Sequence, residues 1–109
     1  MAKYLLIESR DPFDSSDSGY FSELVQGIAG RGNQTTLFLL QNGVLPTRKG
    51  SKHNDVIAKL VQNRVQVLAD GFSLKERAIS NLADGVQVAD IDRLVDLLLE
   101  PETKVMWWH

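Results

Sequence analysis

The stretch Val65-Gln66-Val67-Leu68-Ala69-Asp70-Gly71-Phe72-Ser73-Leu74-Lys75-Glu76 decides the fold. Its first half, with Val65, Val67 and Ala69 alternating with Gln66 and Leu68, is a strand pattern. Asp70-Gly71 breaks the run. Ser73 and Glu76 then fit a capping box, in which a serine side chain and a glutamate three residues later satisfy each other's backbone donors. A strand feeding a helix with almost no loop is the repeating unit of a parallel sheet.

The same alternation extends outward in both directions. Upstream, Thr35–Leu40 (TTLFLL) is a continuous apolar strand, followed by a turn at Gln41-Asn42-Gly43 and a basic loop from Pro46 to Lys52. Asp55–Gln62 carries Val56, Ile57, Leu60 and Val61 on one helical face. Earlier still, Tyr4–Ile7 is a short buried strand closed by Glu8. Phe21, Leu24, Val25 and Ile28 mark a helix that begins at Asp17 or Ser18 and ends at Gly30-Arg31-Gly32-Asn33. Downstream, Asn81–Gly85 is a loop and Val86-Gln87-Val88 a brief strand. Asp90 caps a helix with Ile91, Leu94, Val95 and Leu98 on its inner face. Pro101 follows that helix, and Lys104–Trp108 is a last strand. The predicted order is βαβαβαβαβ. It implies a single α/β domain over residues 1–109: a three-layer α/β/α sandwich with a mostly parallel five-stranded sheet and flavodoxin-like layering.

Composition narrows the chemistry. The chain has 109 residues, enough for one domain and one core without staples. It has no cysteine, which excludes disulfides, thiolate metal sites, iron–sulfur clusters and cysteine nucleophiles. The net charge of -2 argues against a dedicated nucleic-acid binder, which carries a basic face. No apolar run reaches the roughly 18 residues of a membrane span, and the opening residues make no signal peptide. A cytoplasmic location is the expectation. With two histidines, His53 and His109, and no HExxH, GxSxG or GxGxxG, no metal, cofactor or triad is expected.

Ligands of open α/β sheets bind beyond the carboxyl ends of the strands. Four features fall there. Asp70, Gly71, Ser73 and Arg77 surround the start of a helix, where backbone N–H groups favour negative charge. Asp11, Asp14 and Asp17 form an acidic stretch without the calcium-loop pattern; Asp70 with Asp11 or Asp14 is a carboxylate pair to weigh for catalysis. Arg48, Lys49, Lys52 and His53 make a basic loop suited to phosphate or an acidic partner. The tail Met106-Trp107-Trp108 places two large aromatics in a strand, and tryptophan is enriched at interface centres, so contact with another chain is expected there.

These residues together resemble the DsrE/DsrF/DsrH family of sulfur-relay proteins, whose members include the TusB, TusC and TusD subunits. The resemblance covers nearly the whole chain. It rests on the first strand with its Pro12 loop, on TLFLLQNGVL (Thr36–Leu45), on VLADGFSLKERAI (Val67–Ile79) and on the closing LVDLLLEPETKVMWW. Family members that carry sulfur have a cysteine at the end of the third strand, ahead of a helix opening of the S-L-x-x-R-G type. Here Asp70 takes the cysteine's place, Ser73, Leu74 and Arg77 match, and Ala78 stands where glycine is usual.

The resemblance is closest to the DsrH/TusB type, which often lacks the cysteine. It implies a non-catalytic structural or regulatory subunit, or a stand-alone oligomeric homologue, unable to hold a persulfide. It also implies homo-oligomers or hetero-oligomers with DsrE/DsrF-like subunits, a TusA-like carrier as partner, and no cofactor. The rival expectation is a small-anion or nucleotide-binding module using the Asp70–Ser73 turn and the Arg48–His53 loop.

Overall fold

A computed structural model describes residues 3–10 and 18–108. Five strands, β1 (Lys3–Glu8), β2 (Gln34–Leu39), β3 (Val65–Asp70), β4 (Val86–Ala89) and β5 (Thr103–Trp108), form one sheet in the order β4-β3-β2-β1-β5. Every pairing is parallel. The helices are α1 (Ser18–Gly30), α2 (Asn54–Gln62), α3 (Gly71–Glu76) and α4 (Ile91–Leu99), with a 3-10 helix at Gln41–Thr47. The α/β sandwich and its five-stranded parallel sheet are as expected from the sequence.

Strand order explains the layering. The steps β1 to β2 to β3 to β4 all move in one direction, so crossovers of one hand put α1, α2 and α3 on one face. The connection from β4 to β5 runs back across the whole sheet and puts α4 on the other. The two cores follow this division. Leu6, Leu37, Leu39, Val67 and Ala69 pack with Val25 and Ile28 of α1, Leu60 of α2 and Leu74 of α3. Leu5, Ile7, Phe38 and Leu68 pack with Leu94 and Leu97 of α4 alone. Among the described residues, one face carries three helices and the 3-10 turn, and the other carries the nine residues of α4.

Four local expectations need correction. Asp70, not Ser73, is the N-cap of α3: its carboxylate accepts from the Ser73 N–H, and Ser73 lies inside the helix. An aspartate at the strand end reaches those donors directly, so the helix starts without a loop. Residues 41–43 are no isolated turn but the start of the 3-10 helix, which also takes in Pro46 and Thr47. Only the later part of the basic loop is irregular, and Arg48 pairs with Leu82 in an isolated antiparallel bridge. The inner face of α4 is Leu94 and Leu97; Ile91, Val95 and Leu98 point outward.

Two backbone positions hold the carboxyl edge of the sheet together. A Cβ on Gly43 would stand 2.4 Å from the Glu8 carbonyl oxygen and 3.3 Å from that of Arg10. The 3-10 helix therefore lies on the end of β1 at a distance only glycine permits. Glu8 itself is fully buried and accepts the Arg10 N–H at 2.8 Å. At the far end of α3, Ala78 adopts a left-handed φ of 55°. The Ile79 N–H reaches the Leu74 carbonyl and the Ala78 N–H that of Lys75. This is the Schellman arrangement, which normally takes glycine at that left-handed position.

Candidate functional site

Parallel α/β sheets offer a crevice where neighbouring strands send their connections to opposite faces. In this sheet that place lies between β3 and β4. The chain leaves β3 into α3 on the three-helix face and leaves β4 into α4 on the other. Asp70 is the register partner of Ala89, so Asp70 and Asp90 sit on adjacent strand ends. Both are helix N-caps. Asp70 accepts the Ser73 N–H at 3.0 Å and Asp90 the Arg93 N–H at 3.0 Å.

The Asp70 corner is fully engaged. Asp70 is 9% exposed. Its Oδ2 also accepts the Ser73 hydroxyl at 2.7 Å, and that hydroxyl in turn accepts the Gln41 N–H at 2.8 Å. Arg77 does not project into the crevice. Its Nε and Nη2 donate to Asn42 Oδ1 at 3.1 and 3.0 Å, and its Nη1 to the Ser73 carbonyl at 3.2 Å. Gly71 passes β4 closely, since a Cβ there would meet Val88 Cγ1 at 3.1 Å. Asp70, Gly71, Ser73 and Arg77 are thus one unit, and it fastens α3 to the start of the 3-10 helix. Sequence reasoning did not foresee the partners Gln41 and Asn42. Their only sequence signal is the turn composition of Gln41-Asn42-Gly43.

The basic residues lie elsewhere. Arg48, Lys52 and His53 line an open groove with Leu45, Pro46, Gly50 and Ser51, and Lys49 donates its N–H to the Asn81 carbonyl. This groove begins at the opposite end of the 3-10 helix from Gln41. Seven residues at a rise of about 2 Å separate the two ends by roughly 14 Å. The structure does not gather the two groups into one pocket. Asp11, Asp14, Asp17 and His109 lie outside the described residues. Among the described residues, no group of three or more histidine and carboxylate side chains is placed to hold a metal ion.

In the tail, alternation divides the side chains as the sequence implied. Met106 packs against the three-helix core. Val105 and Trp107, in register with Leu5 and Ile7, face the α4 side, where both are exposed. Of Trp108 only the backbone is described.

The crevice therefore offers two capping carboxylates flanked by exposed Phe72 and Ile91. Asp70 can stabilise a helix start and shape a surface. Its carboxylate is committed to two donors, the Ser73 N–H and the Ser73 hydroxyl. No described helix is long and apolar enough to cross a membrane.

No family model matches the chain, and no curated protein matches it in sequence. Solved structures do match. The ychN protein of E. coli is similar with a TM-score of 0.85 at 20% identity, over 99% of this chain and 100% of that one. MTH1491 of Methanobacterium thermoautotrophicum, described as a protein of unknown function, is similar with a TM-score of 0.86 at 16% identity, over 99% and 100%. The chain shares the complete fold of these two proteins, end to end.

Proposed function

We propose that this chain is a non-catalytic structural or regulatory subunit of a sulfur-relay assembly of the DsrE/DsrF/DsrH type, serving cytoplasmic sulfur metabolism such as tRNA thiolation. The observation that carries the reading is Asp70. It stands at the end of β3, ahead of Ser73, Leu74 and Arg77, where the family it resembles carries its cysteine. Its carboxylate caps α3. A helix start that would favour a thiolate here favours a carboxylate, which holds the same corner but cannot carry a sulfane sulfur. The shared fold with ychN and MTH1491 supports the scaffold part of the reading. The work falls to surfaces: the crevice rim at Phe72 and Ile91, and the exposed tail side chain Trp107.

The test is co-elution of the purified chain with DsrE/DsrF-like subunits or a TusA-like carrier. A complex weakened by Phe72→Ala is the expected result. Failure to bind any such partner removes the sulfur-relay reading.

A second reading, binding of a small anion or nucleotide, finds support in the basic groove at Arg48, Lys52 and His53. The Asp70 turn contributes little to it, because Asp70 already takes the Ser73 N–H and hydroxyl. A melting-point rise with inorganic phosphate, absent in Arg48→Ala/Lys52→Ala, would favour this reading.

A further inference from the structure

Of the chain's five asparagines, Asn42 is the one that a glycine follows. In an open chain that pair is labile. Glycine has no side chain to shield its backbone nitrogen, so the nitrogen can attack the asparagine's side-chain carbon. The steps balance with water as the sole co-reactant. Gly43 N loses its proton to solvent and bonds to Asn42 Cγ, the Cγ–Nδ2 bond breaks, and ammonia leaves. Water then opens the cyclic imide at one of its two carbonyls. One opening leaves aspartate. The other leaves isoaspartate, whose main chain runs through Cβ and Cγ and is longer by one atom.

In the folded chain three contacts oppose the first step. The Gly43 N–H donates to the Leu40 carbonyl at 2.9 Å, so the attacking nitrogen is engaged within the 3-10 turn. Arg77 Nε and Nη2 donate to Asn42 Oδ1 at 3.1 and 3.0 Å, which turns the side-chain carbonyl toward α3 and fixes its rotamer. Gln41, at a left-handed φ of 53°, donates its N–H to Ser73 Oγ at 2.8 Å. Helix α3 thus clamps both residues ahead of the bond. Asn42 is exposed, so geometry and not burial protects it.

The two products differ in what they do to the turn. Aspartate keeps the main-chain length and offers Arg77 a carboxylate in place of a carbonyl, which makes the tie an ion pair. Isoaspartate does not fit. A Cβ on Gly43 would already stand 2.4 Å from the Glu8 carbonyl oxygen, so the turn lies too close to β1 to take an extra main-chain atom.

We infer that Asn42 is a self-modifying site of this chain, latched by Arg77. While α3 stays docked the amide persists. Once the clamp opens, Asn42 loses ammonia, and a chain that passes to isoaspartate cannot reseat the 3-10 helix. The Asn42–Arg77 tie therefore sets the lifetime of this corner of the sheet edge, whatever molecule binds there.

The test follows the gain of one dalton in the peptide that holds Asn42, during incubation in warm, mildly alkaline buffer. Asp70-Gly71 and Asp84-Gly85 can form the same imide but return to their starting mass, so the signal belongs to asparagine. The folded wild type should react at least about ten-fold more slowly than the chain unfolded in guanidinium chloride, because only molecules with the turn open react. Arg77→Ala with a native circular dichroism spectrum should react at least about three-fold faster than wild type, having lost two charge-assisted hydrogen bonds. Arg77→Lys, which keeps the charge and loses the fork, should also react faster and serves if Arg77→Ala does not fold. Leu97→Ala weakens the opposite core without touching the clamp and should react at the wild-type rate. The isoaspartate product, separated by chromatography, should melt below the aspartate product. Folded wild type that reacts as fast as the unfolded chain overturns the inference. So do folded Arg77 variants that react no faster than wild type, an isoaspartate product that melts no lower, or a Leu97→Ala protein accelerated as much as the Arg77 variants, since the protection would then be global stability and not the clamp.

Discussion

The starts of α3 and α4 are built alike and end up in different circumstances. Each follows a strand directly, and each is capped by an aspartate that accepts the N–H three residues on. Beyond the cap they diverge. Helix α3 is held by Ser73 to Gln41 and by Arg77 to Asn42, and its outer neighbour is the 3-10 helix. Helix α4 rests on Leu94 and Leu97 and turns the rest of its apolar surface outward. An identical local signal thus begins both helices, and strand order decides which of them is covered. The covered corner has its polar groups satisfied within the chain. The uncovered helix has apolar area left for another molecule.

The largest effect should come from the crowded side. Gly43→Ala places a methyl against backbone on two sides and should cost about 3 kcal/mol, at the upper end for overpacking, because backbone yields less than a side chain. Urea denaturation measures it; a loss below about 1 kcal/mol would show that the 3-10 helix is loosely seated. On the open side, Leu97→Ala should cost about 3 kcal/mol and its neighbour Leu98→Ala under about 1 in the dilute monomer. Equal losses would mean that α4 is rotated from the orientation described.

The two caps sharpen the contrast further. Asp70→Ala removes the acceptor for two buried donors and should cost about 2 kcal/mol, whereas Asp90→Ala, at an exposed cap, should cost about 1. Thermal melts of the pair would reverse the comparison if Asp90 proved the more costly. The smallest effect has the opposite sign. Ala78→Gly relieves the left-handed alanine and should stabilise the protein by roughly 0.5–1 kcal/mol. An unchanged or lower melting temperature would mean that the turn carries no strain.

These residues also mark what was legible in the sequence. All five strands and four helices were readable, because apolar runs and caps are local patterns. The α3 cap was misplaced because Asp70 and Ser73 are both good caps three residues apart; choosing between them needs the distance from the strand end. The orientation of α4 was unreadable for a different reason. Its six apolar residues divide into two sets, 94/97 and 91/95/98/99, and periodicity cannot say which one meets the sheet. The Asn42–Arg77 tie joins residues 35 positions apart, beyond any local rule. The glycine expected at position 78 from the family resemblance now has a physical basis in the left-handed turn, which this chain forms with alanine.

The strand order has a last consequence, which concerns synthesis. Strand β1 is interior to the sheet, yet one of its two neighbours is β5, about a hundred residues later in register. While the chain is being made, β1, β2 and β3 can pair as they emerge. The outer edge of β1 stays open throughout, with Leu5 and Ile7 still uncovered by α4. Unpaired edges and bare apolar faces are where nascent chains stick to one another. For this protein that interval closes only when α4 and β5 have left the ribosome, so these two elements act as the closing clasp of the sheet.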